Sequence, residues 1–511
     1  MALPAETRRL YWERFGAWYE NRRQYLHAMA AYRQSGDFDA LLRVVREDAG
    51  ILLASLKPSE VLKALEQCPA EIMKAHPFAL LVLMRRMFTW RQIPKMLELK
   101  ELLLNSIAEH PELPADERGN LLGECDLIMS FLCYNDISAM SRLHRSASAQ
   151  MSRPAISIRS SGGWTFGAPS VLMMFHRTPG EAERELAEMD ECMPHYYRIT
   201  SGHGQGAEKI MRAEADFMRG RLTDAHIGLE GAYALIKGNG QENMLLCCDF
   251  LARRLLLFAD VERRSTFEER RAELLRHHNL TWLNILNAAG AYYYALRGET
   301  EKIPELFAQH RLAELNILAP GKPMTDMIEN QVYLSQGAYA KVIGRSDGLL
   351  TACEGLHYAL VALHVRIQTA AAYEMLGKHD EAWELLARAM SDAEADGFVT
   401  PFAENFRYLR PLLSERTRSD FTERIFELGE AMEQRLNETA RPAALAALTE
   451  RECEIVGLMA QRLSNREIAE RLYLSEGSVK QYVKQMYSKL HIEGDTRTKR
   501  SRLSELLAGK N

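Results

Sequence analysis

One stretch near the carboxyl end of the chain, residues 448–490, constrains the fold more than any other part. Within it, Thr449 and Ser464 are each followed three positions later by a glutamate. This spacing is a capping box, in which a hydroxyl and a carboxylate satisfy backbone amides at the start of a helix. With Ser475 as a third residue suited to begin a helix, the stretch is predicted to form three short helices joined by tight turns.

Apolar residues recur at helical spacing in each predicted helix, so the three stripes can meet in one small core. The stripes are Ile455, Leu458 and Met459, then Ile468, Ala469 and Leu472, then Val479, Val483, Met486 and Leu490. The third helix keeps a basic and amide-bearing face outside its stripe: Ser478, Lys480, Gln481, Lys484, Gln485 and Lys489. A helix with such a face fits the major groove of DNA, where lysine donates to guanine and glutamine pairs with adenine.

Positive charge is concentrated at this end of an otherwise acidic chain. From Lys480 to the last residue, eight lysines and arginines oppose three acidic residues, a local charge of +5, whereas the whole chain carries −5. Such a distribution is typical of a segment that binds nucleic acid.

The stretch resembles the LuxR-type helix-turn-helix of bacterial transcriptional regulators. The residues that match the pattern of that family are Leu448-Thr449, Arg451-Glu452, Ser464-Asn465, Glu467-Ile468-Ala469, Leu472, Ser475, Val479-Lys480 and Lys489-Leu490. The resemblance implies a four-helix DNA-binding domain over residues 447–511, with the third helix, 476–490, in the major groove. Asp495 or Thr496 is predicted to start a fourth helix with an apolar strip of Leu503, Leu506 and Leu507, and the resemblance implies that this helix pairs two domains.

The resemblance also implies roles for single residues. Lys480, Gln481 and Lys484 match the positions that enter the groove, and the candidates for phosphate contacts are Asn465, Ser475, Ser478, Tyr482 and Lys489. The plainer interpretation is that these side chains form only the solvated face of a surface helix, and the complete motif argues against it. Three departures from the family pattern stand out: Arg462 replaces a glycine, Tyr482 replaces a histidine, and residues 491–496 form a connection about two residues longer than usual.

The remainder of the chain is predicted to be all-α and repetitive. A unit of helix, glycine turn and helix recurs around Gly36, Gly220, Gly298, Gly337 and Gly377. The last three glycines lie about 40 residues apart, and the unit around Gly377 resembles a tetratricopeptide repeat, whose usual length is about 34 residues. We predict a helical region at 1–110, a tetratricopeptide-like solenoid at 111–436 that a helix over 412–436 completes, and a linker at 437–446.

This order of parts is similar to the carboxyl-terminal two-thirds of MalT-type regulators. Those proteins begin with an ATPase module, but the phosphate-binding pattern Gly-x-x-x-x-Gly-Lys-Ser/Thr does not occur in this sequence. Either the chain is a short relative that does not depend on ATP, which Met1 favours, or it is a piece of a longer chain.

Two segments interrupt the helical pattern. Residues 152–171 are rich in serine, glycine and proline around Trp164 and Phe166, and residues 201–206 alternate glycine with polar side chains around His203. We favour the interpretation that both are inter-helix loops. The alternative is that they line a pocket for a small polar effector, since an aromatic ring and a histidine on flexible backbone suit one.

The sequence favours a transcription factor over an enzyme. No nucleophile-and-base arrangement and no Cys/His metal spacing is present, so we expect neither catalysis nor a cofactor or metal. The start of the chain lacks an apolar signal region, which favours the cytoplasm. The expected partners are double-stranded DNA, a second copy of the chain on DNA, RNA polymerase, and an unidentified small-molecule or protein effector on the solenoid. The competing hypothesis is a helical-repeat interaction scaffold with a basic docking tail.

Overall fold

The computed structural model describes residues 4–48, 53, 56–158, 162–238, 240–259, 266–277, 279–315, 317, 319–415, 419–440, 448–460, 463–492, 494–495, 498–499 and 502–503. All regular secondary structure in these residues is helical and none is a strand, which confirms the all-α prediction. Among the helices of these residues, none combines the length and the apolar character needed to cross a lipid bilayer.

The α-helices follow one another through the described part of the chain. The first twelve are α1 (Ala5–Glu20), α2 (Tyr25–Ser35), α3 (Phe38–Glu47), α4 (Pro58–Gln67), α5 (Ala70–Lys74), α6 (Pro77–Thr89), α7 (Ile93–Glu109), α8 (Ala115–Ser130), α9 (Ile137–Gln150), α10 (Val171–Phe175), α11 (Ala182–Ile199) and α12 (Ala207–Met218). The next are α13 (Leu222–Ile236), α14 (Glu242–Leu255), α15 (Thr266–Arg276), α16 (Leu280–Arg297), α17 (Glu305–Ala308), α18 (Lys322–Ser335), α19 (Tyr339–Leu356), α20 (Ala359–Met375), α21 (His379–Glu394), α22 (Thr400–Glu404), α23 (Phe406–Ser414) and α24 (Asp420–Ala440). The last three are α25 (Glu450–Ala460), α26 (Asn465–Leu472) and α27 (Glu476–Lys489).

The chain divides into two compact units, Met1–Leu428 and Gly429–Asn511. The predicted border at residue 110 does not coincide with a break in packing, because Leu121, Cys125 and Ile128 of α8 belong to the same buried cluster as the apolar residues of α2 to α7. At the predicted linker, residues 437–440 continue α24, and residues 441–446 lie outside the described part of the chain.

The glycine turns of the predicted repeat are present in the first unit. Gly36, Gly220, Gly298, Gly337 and Gly377 have φ angles between +72° and +75°, a left-handed conformation that costs glycine little and other residues more. The pairs α2/α3, α12/α13, α18/α19 and α20/α21 pack against each other across such turns, and turns this short make paired helices antiparallel.

The unit around Gly298 departs from the prediction. A 3-10 turn and the four-residue helix α17 take the place of its second full helix. Pro304 accounts for this, because proline lacks a backbone donor and disfavours a helical conformation of the residue before it.

The predicted helix over 412–436 is also wrong in its extent, since α23 ends at Ser414 and α24 begins at Asp420. The backbone N–H of Ser419 donates to Thr422 Oγ1 at 2.7 Å, and that of Thr422 donates to Ser419 Oγ at 3.3 Å. This reciprocal pair begins a new helix at this position.

A buried ion pair joins three helices of the first unit that are distant in the sequence. Arg254 of α14 donates to both carboxylate oxygens of Glu404 at the end of α22, over 2.7 and 2.8 Å. Tyr292 of α16 donates its hydroxyl to the same carboxylate at 2.8 Å. Arg254 and Glu404 are each only 2% exposed, so each charge depends on its partner in place of water.

Substituting alanine for Gly377 is expected to destabilise the first unit, whereas the same change at Gly344 should stabilise it. An added Cβ meets no atom within 4 Å at either position, so the backbone decides both outcomes. Gly377 has φ +72°, where alanine costs about 1–2 kcal/mol. Gly344 lies inside α19, where alanine gains about 0.5–1 kcal/mol. Urea unfolding followed by circular dichroism should give shifts of opposite sign, and shifts of the same sign would contradict this account.

Candidate nucleic-acid interface

The two predicted capping boxes form at the starts of α25 and α26. The N–H of Thr449 donates to Glu452 Oε2 at 2.7 Å, and the N–H of Glu452 donates back to Thr449 Oγ1 at 3.4 Å. In the second box, Ser464 and Glu467 make the equivalent bonds at 2.7 and 3.3 Å. The start of α27 is also as predicted, since Ser475 Oγ accepts from the N–H of Ser478 at 3.0 Å.

The three apolar stripes meet in one core, as the helical spacing predicts. Buried in it are Leu448, Ile455, Val456, Met459, Ile468, Ala469, Val479, Met486, Tyr487, Ile492 and Leu503. Val456, Tyr487 and Ile492 were not part of the predicted stripes. Leu503 is 2% exposed and packs within this core, so this residue of the predicted apolar strip faces its own domain.

Two features of the turn between α26 and α27 fix their relative direction. Tyr473 adopts φ +54° and leaves its side chain 97% exposed, and the N–H of Leu474 donates to the carbonyl of Ala469 at 2.9 Å. Arg451 of α25 donates to the carbonyl of Leu472 at 2.7 Å and so holds the end of α26. The arginine of the motif therefore has a structural role, which its position in the sequence did not indicate.

α27 presents its basic face to solvent. Lys480, Gln481, Lys484 and Gln485 are exposed, one helical turn after another, while Val479 and Met486 on the opposite side are buried. Lys480 Nζ lies 2.8 Å from Oε1 of Glu476, and this contact lowers the pKa of the glutamate. Both side chains are more than 45% exposed, so the pair is weak and easily exchanged for another acceptor.

The predicted phosphate contacts occupy different environments. Ser475 and Ser478 lie together at the start of α27, with their hydroxyl oxygens 2.8 Å apart, and Asn465 is half-buried at the start of α26. The ring of Tyr482 packs partly against the core. Lys489 differs from the others, because its Nζ lies 2.7 Å from Oε2 of Glu452, inside the domain.

Glu452 makes more contacts within the domain than the cap that its sequence position predicted. It is 2% exposed and accepts from Thr449 and Lys489. Burial raises the pKa of its carboxyl, but the hydrogen bonds from Lys489 and Thr449 outweigh burial and hold this pKa below its ordinary value. Glu452 thus joins the first helix of the domain to the end of the third.

Replacing Glu452 with glutamine is expected to weaken the fold of residues 448–492 by about 1–3 kcal/mol, because charge-assisted bonds are lost and Lys489 faces an amide. Hydrogen exchange of the amides in this segment of the full chain measures the change. Since the folded-state pKa is depressed, the stabilisation is present at neutral pH and is lost as the pH falls through that pKa.

Glu454→Gln is the matched control, because Glu454 pairs with Arg451 at 2.6 Å but its side chain is 53% exposed. This change should cost less than 1 kcal/mol. Equal effects of the two substitutions would contradict the larger contribution of Glu452 to the stability of the domain.

Several predicted features fall outside the described residues. They are the glycine-replacing Arg462, part of the long connection (Glu493 and Thr496), and Leu506 and Leu507 of the fourth helix. Asp495 is described, and its carboxylate accepts from the N–H of Thr498 at 2.7 Å, as a helix-start residue does.

Comparison with known proteins assigns a family to this segment of the chain. Residues 446–500 match GerE, the bacterial regulatory proteins of the luxR family. The transcriptional regulatory protein LnrK of Bacillus subtilis (strain 168) is 44% identical over 61 residues, 12% of this chain and 28% of that protein. The DNA-binding transcriptional activator DevR/DosR of Mycobacterium tuberculosis (strain ATCC 25618 / H37Rv) is 40% identical over 52 residues, 10% of this chain and 24% of that protein. The chain therefore spans about a quarter of the length of these relatives.

Proposed function

We propose that this protein is a DNA-binding transcriptional regulator that reads the major groove with α27. The observation that carries the proposal is the exposed face of α27, with Lys480, Gln481 and Lys484 on the outer side of a helix-turn-helix core. The luxR-family match of residues 446–500 and the printed descriptions of the two relatives support the same function.

In this proposal the side chains divide into two groups. Lys480, Gln481 and Lys484 contact base edges, where lysine donates to guanine O6 and N7 and glutamine pairs with adenine. Asn465, Ser475, Ser478, Tyr482 and Lys489 contact phosphates and fix the register of the domain. Ser475 and Ser478 suit that role because the amino-terminal end of a helix attracts anions. Lys489 is also 39% exposed beside Glu452, so its ammonium has donors left for a phosphate.

We further propose that two copies bind two half-sites related by a two-fold axis, so that the operator is roughly palindromic. Residues 498–499 and 502–503 are the described parts of the fourth helix that would pair the copies, and Asp495 precedes them. An activator bound in this way would present its surface to RNA polymerase.

The first unit is proposed to be the sensor that controls the domain, in the manner of the MalT-type helical-repeat region. Its support is the set of antiparallel helix pairs with glycine turns. The working division is a helical entry region at 1–110, a repeat region at 111–436, a connection at 437–446 and the DNA-binding domain at 447–511.

Retention of genomic fragments by the full-length protein across a salt series tests the function. Selective retention of a few fragments is expected, with an affinity that falls about 10³-fold between 50 and 200 mM salt if about six phosphates are contacted. The same measurement is also made on residues 438–511 alone. Selective binding by these residues but not by the full-length protein would show that the sensor holds the domain inactive. Equal, weak binding of both proteins to every fragment would contradict the proposal and favour the interaction scaffold.

A further inference from the structure

The first unit contains a partly open cavity of about 440 Å³, lined by residues well away in the sequence from the DNA-binding domain. This volume lies within the range of sites that enclose a small organic ligand. Its walls come from α6, from α9 and the loop after it, and from the first turns of α16. Both interrupted segments noted in the sequence take part, 152–171 through Trp164 and Phe166 and 201–206 through His203.

Eight phenylalanine, tyrosine and tryptophan rings line the cavity, and several of them contact one another. Phe88 lies 5.5 Å from Phe131 and 6.4 Å from Phe166, measured between ring centroids. Trp164 stacks on Phe175 at 5.0 Å. Such a wall is preformed and favours a flat apolar group over a sugar or another polyhydroxylated ligand.

Two adjacent arginines, Arg85 and Arg86 of α6, supply the charge of the cavity. Among the described residues that line it there is no aspartate, glutamate or lysine. Arg85 donates to the carbonyl of Ser157 and is thereby fixed in position. Burial, followed by repulsion from Arg85, lowers the pKa of Arg86 to about 10, while Asp48 outside the lining acts in the opposite direction. Arg86 therefore stays cationic at neutral pH, and guanidiniums such as those of Arg85 and Arg86 suit a carboxylate.

The two histidines of the lining do not add positive charge. Burial lowers the pKa of His144 to about 3 and that of His203 to about 4, so both are neutral. His144 Nε2 lies 2.9 Å from Ser130 Oγ. His203 contacts the Tyr196 hydroxyl at 2.7 Å and the Gly162 carbonyl at 3.2 Å. The arginines are therefore the charged recognition groups of the cavity.

We propose that this cavity binds a small arylalkanoic monocarboxylate, with its carboxylate on Arg85 and Arg86 and its ring between Trp164 and Phe88. The guanidinium fork matches the planar carboxylate, and removal of the ring from water stabilises the complex. Binding follows from the cavity itself. That the bound acid is the effector of DNA binding rests on the function proposed above.

The test uses the full chain without DNA and follows tryptophan fluorescence, since Trp164 and Trp282 line the cavity, with calorimetry as a second readout. The probes are phenylacetate, 3-phenylpropionate and indole-3-acetate, each compared with its neutral amide. At least one acid is expected to bind, and at least tenfold more tightly than its amide. Absence of binding by all three acids, or equal binding of acid and amide, would overturn the proposal.

Variants separate charge from shape. Arg86→Gln and Arg85→Gln should each weaken the acid at least tenfold and leave amide binding within about twofold, whereas Arg184→Gln on the exposed face of α11 should change neither. Ala288→Phe fills the cavity from α16 and should exclude both acid and amide. Arg85→Gln also removes the hydrogen bond to the Ser157 carbonyl, which belongs to the fold. Arg86→Gln and Ala288→Phe leave that bond intact, so they test the site independently of it. Acid affinity unchanged in both of these variants would overturn the site.

The effector role is tested separately, by adding the tightest-binding acid to the full-length protein on a retained DNA fragment. A change in DNA affinity of at least threefold that is lost in Arg86→Gln is expected. An acid that binds the protein and leaves its DNA affinity unchanged would overturn the effector role, and a failure of DNA binding itself would leave the cavity measurements intact.

Discussion

Changing Lys480 and Lys484 together to alanine is expected to weaken binding to a selected DNA fragment by about 30-fold to 10⁴-fold at constant salt. Each base contact contributes about 1–3 kcal/mol of discrimination, and the two residues lie one turn apart on the exposed face of α27. Neither side chain belongs to the buried core, so the melting temperature should not change. The loss should be larger on the selected fragment than on unrelated DNA.

Lys63→Ala is the matched control, because Lys63 is an exposed lysine of α4, in the first unit. It removes one of the two charges that the double variant removes and should leave DNA affinity unchanged. Titration of labelled fragments with each variant gives the comparison. A double variant that keeps full affinity would mean that α27 does not read DNA, and it would favour the interaction scaffold.

Glu404→Gln is expected to destabilise the first unit by about 3–5 kcal/mol, the largest effect that we predict on stability. The change leaves the guanidinium of Arg254, 2% exposed, without its carboxylate, and an unpaired buried charge costs this much. The hydroxyl of Tyr292 also loses an ionised acceptor. Urea unfolding of the full chain, followed by circular dichroism, measures the shift.

Two companion variants show whether the buried charge is the cause. Glu314→Gln breaks the 2.6 Å contact with Arg311, in which both side chains are about half exposed, and should cost less than 1 kcal/mol. Adding Arg254→Met to Glu404→Gln removes the stranded charge and should recover part of the loss. A double variant less stable than Glu404→Gln alone would show that packing, and not charge, dominates at this site.

The parts of the structure that could be predicted from sequence are those determined by neighbours along the chain. The capping boxes of α25 and α26 and the helical stripes involve residues three or four positions apart, so their spacing alone predicted the helix starts and the core. The glycine turns are of the same kind, since a positive φ is a local property. Pro304 and Ser419 are also local signals, since Pro304 interrupts a helix and Ser419 begins a new one. The two predicted helices that ignored these residues were wrong.

Contacts between distant residues could not be predicted in this way. The Arg254 and Glu404 pair is separated by 150 positions, and the cavity is lined by residues from Arg85 to Thr325. Lys489 illustrates the same point within the DNA-binding domain. The family resemblance implied a phosphate contact for it and gave no sign of its partner Glu452, which lies 37 positions earlier. Only the packing of α25 against α27 brings the two together.

The most direct test of the central claim, that α27 reads the major groove, is methylation interference on a retained DNA fragment. Dimethyl sulfate methylates guanine N7 in the major groove, the acceptor to which Lys480 and Lys484 would donate. If α27 reads the major groove, two patches of interfering guanines are expected, about one helical turn apart. The variant that lacks both lysines should lose this pattern. Binding that is indifferent to guanine N7 methylation, or interference only from methylated minor-groove adenines, would contradict it.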